Sequence, residues 1–141
     1  MTIGTTRGKA WIEAVPTDRG ARFTGRTFSR FHIAGGEGAP SVGEIWATGE
    51  HAVEAHAHDS DELFYVLSGA IEIDGRLLCV NDAVFIPRAT AYAARVASPE
   101  GSRVLRVALP SADARPEAPE YEARVWAGPL TEDGVPRIEG P

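Results

Sequence analysis

Several absences narrow the sequence before any motif is read. The 141 residues hold a single cysteine, Cys79, so no disulfide can close within the chain. Cys79 sits in the apolar run Leu77-Leu78-Cys79-Val80. That setting predicts a buried structural thiol rather than a reactive one, because a reactive thiolate needs an electropositive, accessible site. No stretch reaches the roughly 18 apolar residues of a membrane-spanning helix, and Met1–Gly8 has no apolar signal-type core. The expectation is a cytoplasmic protein with no membrane partner. Residues 34–62 contain no Lys or Arg but seven carboxylates, whereas residues 1–33 carry six basic side chains and two acidic ones. With 14 basic against 20 acidic residues overall, the basic face of a general nucleic-acid binder is missing. There is also no Gly-rich phosphate loop, no Gly-x-Ser-x-Gly nucleophile turn and no paired-cysteine zinc pattern. No segment shows a long helical period with caps.

What remains is a chain of short β-like runs. Hydrophobic content of 43% is enough for one core. Strands are expected over 10–15, 23–33, 42–48, 52–58, 62–67, 70–73, 76–80, 83–86, 91–96 and 103–109. Gly, Pro, Asn and Asp punctuate them. Asp74-Gly75, set between Ile71-Glu72-Ile73 and Arg76-Leu77-Leu78, is a tight-hairpin signal. Many short strands at even spacing indicate an all-β sandwich or barrel in a single domain over 1–141. Its parts are N-terminal strands over 1–39, a core barrel over 40–109 and a C-terminal extension over 110–141. Pro110, Pro116, Pro119, Pro129, Pro136 and Pro141 interrupt the extension, and Pro cannot donate to a ladder. An extended tail wrapping the barrel or a neighbouring subunit is expected, anchored by Trp126 and Leu130.

All four histidines fall between positions 32 and 58. In a strand, residues two apart share a face, so His56 and His58 can converge on one ion. If Asp59-Ser60-Asp61 makes a short connection, Glu62 opens the next antiparallel strand on the same inward face, with Phe64 and Val66 behind it. Two imidazoles and one carboxylate form the donor set of divalent-metal sites that keep open positions. His32 is expected to be structural. His51 is expected to be exposed, and Glu37, Glu50 and Glu54 are expected to be solvated. Arg95 and Arg106 could hold a substrate carboxylate if they pointed inward, but solvent exposure is the expectation for both.

The pattern His56-x-His58-x3-Glu62-x6-Gly69 resembles the first motif of the cupin superfamily. Asn81-Asp82-Ala83-Val84-Phe85-Ile86-Pro87-Arg88-Ala89 is similar to the start of its second motif. The likeness spans roughly residues 40–109. It implies a cupin-type double-stranded β-helix, a jelly-roll barrel, here with an extended Pro-rich C-terminal tail. It also implies a divalent metal ion (Fe, Mn, Ni or Zn) on His56, His58 and Glu62, a small-molecule substrate and a homodimer. The sequence departs from the pattern at Asn81 and Ala89, where the family usually has glycine. It departs most at Tyr92, which stands where a third histidine is usual. Tyr92 could be a metal-bound phenolate, a catalytic hydroxyl near the metal or a plain wall of the pocket. Trp46, Phe64, Phe85 and Tyr92 are candidate linings of that pocket. The implied activity is metal-dependent small-molecule chemistry of dioxygenase type or of Lewis-acid, isomerase or lyase type. The alternative is a non-catalytic cupin that binds a small ligand or a metal in its barrel.

Overall fold

The computed structural model describes residues 1–18, 22–35, 38–109 and 121–138. Glu37 lies outside them. The described residues form twelve strands and no helix. In chain order these are β1 (Ile12–Pro16), β2 (Phe23–Thr24), β3 (Thr27–Ile33), β4 (Ser41–Ala47), β5 (Ala52–His56), β6 (Asp61–Ser68), β7 (Ile71–Ile73), β8 (Arg76–Leu78), β9 (Ala83–Ile86), β10 (Tyr92–Val96), β11 (Ser102–Leu109) and β12 (Tyr121–Val125). They make two antiparallel sheets, ordered β12-β1-β3-β4-β11-β6-β9 and β2-β5-β10-β7-β8. The expected run over 23–33 is broken in two at Gly25, where φ is 69°. Asp74 and Gly75 both take positive φ and close the β7–β8 hairpin in two residues, as their sequence predicts.

Alternation along the strands sorts side chains into an inner and an outer layer. On β6, Glu62, Phe64 and Val66 are buried between partly exposed neighbours. On β11, Val104 and Arg106 pair with Val66 and Phe64 and share their inward face. The inner core joins Phe64, Val66, Ile71, Ile73, Leu78, Ile86, Tyr92 and Val104. Gly69 ends β6 at φ 70°, where a Cβ would collide with the Gly101 carbonyl.

The outer face of the larger sheet carries a second cluster, of Trp11, Phe28 and Val135 with Trp46 and Trp126 against it. The C-terminal stretch is tied down there. The Trp126 amide donates to the Trp11 carbonyl at 2.8 Å, and the Trp11 indole N–H donates to the Gly134 carbonyl at 2.8 Å. Trp126 stacks edge-on against Phe28. Leu130, expected as a second anchor, is 47% exposed, and Val135 and Pro136 are the residues buried in its stead. The strand β12, which the sequence reading did not foresee, pairs with β1 as an edge strand.

Two further expectations are corrected by the same alternation. Trp46 lies between Ile45 and Ala47, which face inward, and so turns outward opposite Phe28 in the outer cluster. Phe85 pairs with Leu63 on the outer face of β9 and is 53% exposed, while Ile86 opposite Glu62 is buried. Cys79 is exposed as well. The short strand β8 ends at Leu78, which takes the inward position, and Cys79 begins a turn in which its amide donates to Asp82 Oδ2 at 2.8 Å.

Candidate functional site

Between the sheets lies a cavity of about 660 Å³, within the range of small-molecule sites. Its walls include Phe31, Ile45, Val53, Phe64, Ile73 and Val104, and its polar groups include His56, His58, Tyr92 and Arg106. Of the expected lining residues, Phe64 and Tyr92 are in place. Trp46 and Phe85 are not, for the reasons of parity given above.

His56 reaches the cavity through an irregularity. Tyr92 pairs with His56 and Ala94 with Val53, so two residues of β10 oppose three of β5. This β-bulge reverses the alternation, so that Val53 and His56 both face the cavity. It also exposes the Glu54 carbonyl to the imidazole, whose Nδ1 lies 2.8 Å from it. A carbonyl only accepts, so Nδ1 carries the proton and Nε2 presents its lone pair. His58 lies just beyond the end of β5, and its carbonyl accepts from the Ala89 amide at 2.9 Å. Ala89 holds φ 62° and Asn81 φ 73°. Both therefore adopt the left-handed backbone that glycine would take most easily, at the two positions where glycine is usual in the motif they resemble.

Glu62 does not sit on a strand adjacent to β5. The connection over 57–60 crosses between the sheets, so the carboxylate approaches His58 from the opposite wall. Glu62 is 1% exposed. Its Oε2 accepts from Arg106 Nε at 2.7 Å, and its Oε1 lies 3.5 Å from His58 Nε2 without a hydrogen-bond partner. Arg106 was expected in solvent, yet it points inward with its side chain only 24% exposed. The signal for it is in the sequence: Arg103 and Arg106 are three apart on one strand, so they must take opposite faces. Arg95 meets the expectation, being more than half exposed and paired with Glu72 at 2.7 Å.

Tyr92 is buried, with its ring 4.9 Å from that of His56, 6.1 Å from that of His58 and 6.1 Å from that of Phe64. Burial raises its pKa well above the ordinary 10; the Glu62 charge adds to the rise and Arg106 offsets part of it. Away from the cavity, His32 is structural, as expected, with Nε2 2.8 Å from Glu44 Oε1. His51, by contrast, lines the cavity and is half-buried rather than exposed. Its Nδ1 lies 3.0 Å from the Thr24 carbonyl, and burial lowers its pKa.

Whether a divalent ion suits this site turns on the donors. Among the described residues no three His, Cys, Asp or Glu side chains form a ready-made cluster. The donor chemistry nevertheless fits. Glu62 Oε1 is a buried acceptor with no hydrogen-bond partner, and His56 Nε2 is a lone pair fixed by its tautomer. The 3.5 Å between Glu62 Oε1 and His58 Nε2 is a spacing that two ligands of one ion, each at about 2.1 Å, can span.

No protein-family model matches the sequence, and no curated protein does. Solved structures match at the level of the fold. The polyketide cyclase RemF from Streptomyces resistomycificus aligns with a TM-score of 0.60 at 22% identity, over 94% of this chain and 89% of that one. KdgF from a Halomonas species aligns at 0.57 and 17% identity, over 80% and 97%. A cupin-like protein from Thermotoga maritima aligns at 0.55 and 21% identity, over 83% and 91%. Among the described residues no helix is long and apolar enough to cross a membrane.

Proposed function

With the cupin fold as premise, we propose that this protein is a metal-dependent small-molecule cupin. A divalent ion (Fe, Mn, Ni or Zn) is held by His56, His58 and Glu62, and an organic ligand occupies the cavity beside Tyr92 and Phe64. The observation that carries this reading is Glu62 Oε1, a buried acceptor with no hydrogen-bond partner, facing His58 Nε2 at 3.5 Å. A buried polar atom of this kind is costly unless something completes it. When bound, the ion supplies Lewis acidity toward a carbonyl or enolate, or open positions of the kind used for oxygen chemistry. The chain's own residues orient and enclose. The Glu54 carbonyl fixes the His56 tautomer, and Arg106 fixes the rotamer of Glu62. Tyr92 offers a hydroxyl at the cavity wall, and the surrounding aliphatic side chains exclude water. The resemblance extends the proposal to a homodimer. The edge strand β12, with Tyr121 46% and Val125 62% exposed, is the surface that a second copy would cover.

Metal analysis of protein purified without chelator tests the reading. One ion per chain is expected in the wild type and none in His58→Ala. A wild type that stays empty after equilibration with micromolar divalent ions would sink it. With metal present, oxygen uptake across diketones, catechols and thiols sorts the oxygenase branch from the Lewis-acid branch. One observation favours the second reading, a metal-free ligand-binding cupin: Arg106 already neutralises Glu62 at 2.7 Å. That reading predicts the empty wild type together with ligand binding that is indifferent to chelator.

A further inference from the structure

We infer that the cavity selects an organic anion: a ligand with an apolar body and one carboxylate or similar oxyanion, docked on the guanidinium of Arg106. This rests on the cavity being the ligand site, and not on the metal.

Arg106 is placed to act as an anion fork. Its neighbours on β11 are registered into both adjacent strands of the larger sheet, where Arg106 pairs with Gly43 on β4 and Phe64 on β6. Its backbone is thus fixed in the middle of a sheet. The side chain rises from that floor into the cavity. The bond from Nε to Glu62 Oε2 at 2.7 Å holds the guanidinium plane. Among the described residues Glu62 is its only hydrogen-bond partner, through Nε, and neither terminal amino group is engaged there. Arginine presents those donors as a planar pair that matches a carboxylate. Arg95, the other arginine of the wall, bonds Glu72 through Nε in the same way, but its side chain is over half exposed and screened by solvent. It does not offer a second fork of the same kind.

The rest of the wall defines the ligand's body. Phe31, Ile45, Val53, Ile73 and Val104 leave apolar surface around a cavity of about 660 Å³, ample for a fused-ring or medium-chain skeleton. The Tyr92 hydroxyl and the imidazoles of His56 and His58 add further polar contacts at the same end of the cavity as Arg106. A neutral amide of the same shape offers the fork one acceptor oxygen instead of two and no charge, and that difference carries discrimination.

The test compares carboxylates with their own primary amides in the presence of EDTA, so that no ion contributes. The pairs are benzoate and benzamide, 2-naphthoate and 2-naphthamide, and octanoate and octanamide, titrated by calorimetry into the full chain. At least one carboxylate is expected to bind about tenfold or more tightly than its amide. Arg106→Gln is expected to bring that ratio close to one. Glu62→Gln removes the carboxylate that competes for the guanidinium, and is expected to widen the ratio several-fold. The same Glu62→Gln protein, titrated with Zn²⁺ without EDTA, reports on the ion separately, so failure of the metal reading and failure of the anion reading leave different patterns. The inference is overturned if no carboxylate binds, if acid and amide bind alike, or if Arg106→Gln keeps the preference. If Arg106→Gln melts below the assay temperature, Glu62→Gln decides: a narrowed or unchanged ratio overturns the inference.

Discussion

Of the three glutamates buried among the described residues, Glu44 and Glu62 each take an arginine from β11, one on each face of the larger sheet. Outside, Glu44 meets Arg103 Nε at 2.6 Å, His32 Nε2 at 2.8 Å and Arg30 at 3.7 Å. Arg30 also lies over the Trp11 ring at 4.3 Å, and the Arg103 guanidinium donates to the Asp133 carbonyl at 3.2 Å. Every oxygen of Glu44 is used, and the C-terminal stretch covers the network. Inside, Glu62 has Arg106 on one oxygen and nothing closer than His58, at 3.5 Å, on the other. Burial pushes the Glu44 carboxyl up in pKa, but Arg103, His32 and Arg30 outweigh it and the net direction is down. The difference separates structure from site. A saturated buried charge holds elements together, whereas the unsaturated one is where the proposed ion would be held.

The largest expected effect breaks the outer network. Glu44→Ala strands two arginines beneath the C-terminal stretch and is expected to cost about 3–5 kcal/mol, read from the urea midpoint. Glu62→Gln keeps the shape and one acceptor for Arg106, and is expected to cost about 1 kcal/mol. Equal losses would erase the contrast. Next is Ala89, whose left-handed backbone sits one hydrogen bond from His58. Ala89→Gly is expected to stabilise the protein by about 1 kcal/mol in the same assay, against the usual trend for glycine. Smaller still is the acid limb. Arg26 holds the Glu13 carboxyl below its ordinary 4.5, with bonds of 2.7 and 2.8 Å, and Glu44 is likewise lowered. Both groups prefer the ionised form more strongly when folded. Their contribution is complete above pH about 4.5 and is lost as pH falls through the lowered values. Thermal melts from pH 6 to 3 should show that loss, and Glu13→Gln should flatten it. His51 adds the smallest term. Its pKa is lowered by burial, so stability should begin to fall as pH drops below its ordinary 6.5.

Much of the fold was legible because strand alternation and turn chemistry are local. Glu62, Phe64 and Val66 read as one inward face, Asp74-Gly75 as a two-residue hairpin, and His58 and Glu62 as neighbours at the site. What escaped depends on register. The bulge at 53–56 that swings His56 inward has no side-chain signature, since its members Glu54 and Ala55 are both exposed and unremarkable. Trp46 and Phe85 looked like pocket aromatics by type, but parity sends them outward. Cys79 looked buried from its apolar neighbours, but the strand stops one residue before it. Arg106 was visible in principle from its spacing to Arg103, although spacing alone does not say which of the two faces in.

The most direct test of the unsaturated glutamate is calorimetric titration of Zn²⁺ or Mn²⁺ into metal-stripped wild type, Glu62→Gln and Glu44→Gln. One site per chain in the wild type, lost in Glu62→Gln and kept in Glu44→Gln, is the predicted result. Undiminished binding in Glu62→Gln, or no binding in the wild type, would contradict it.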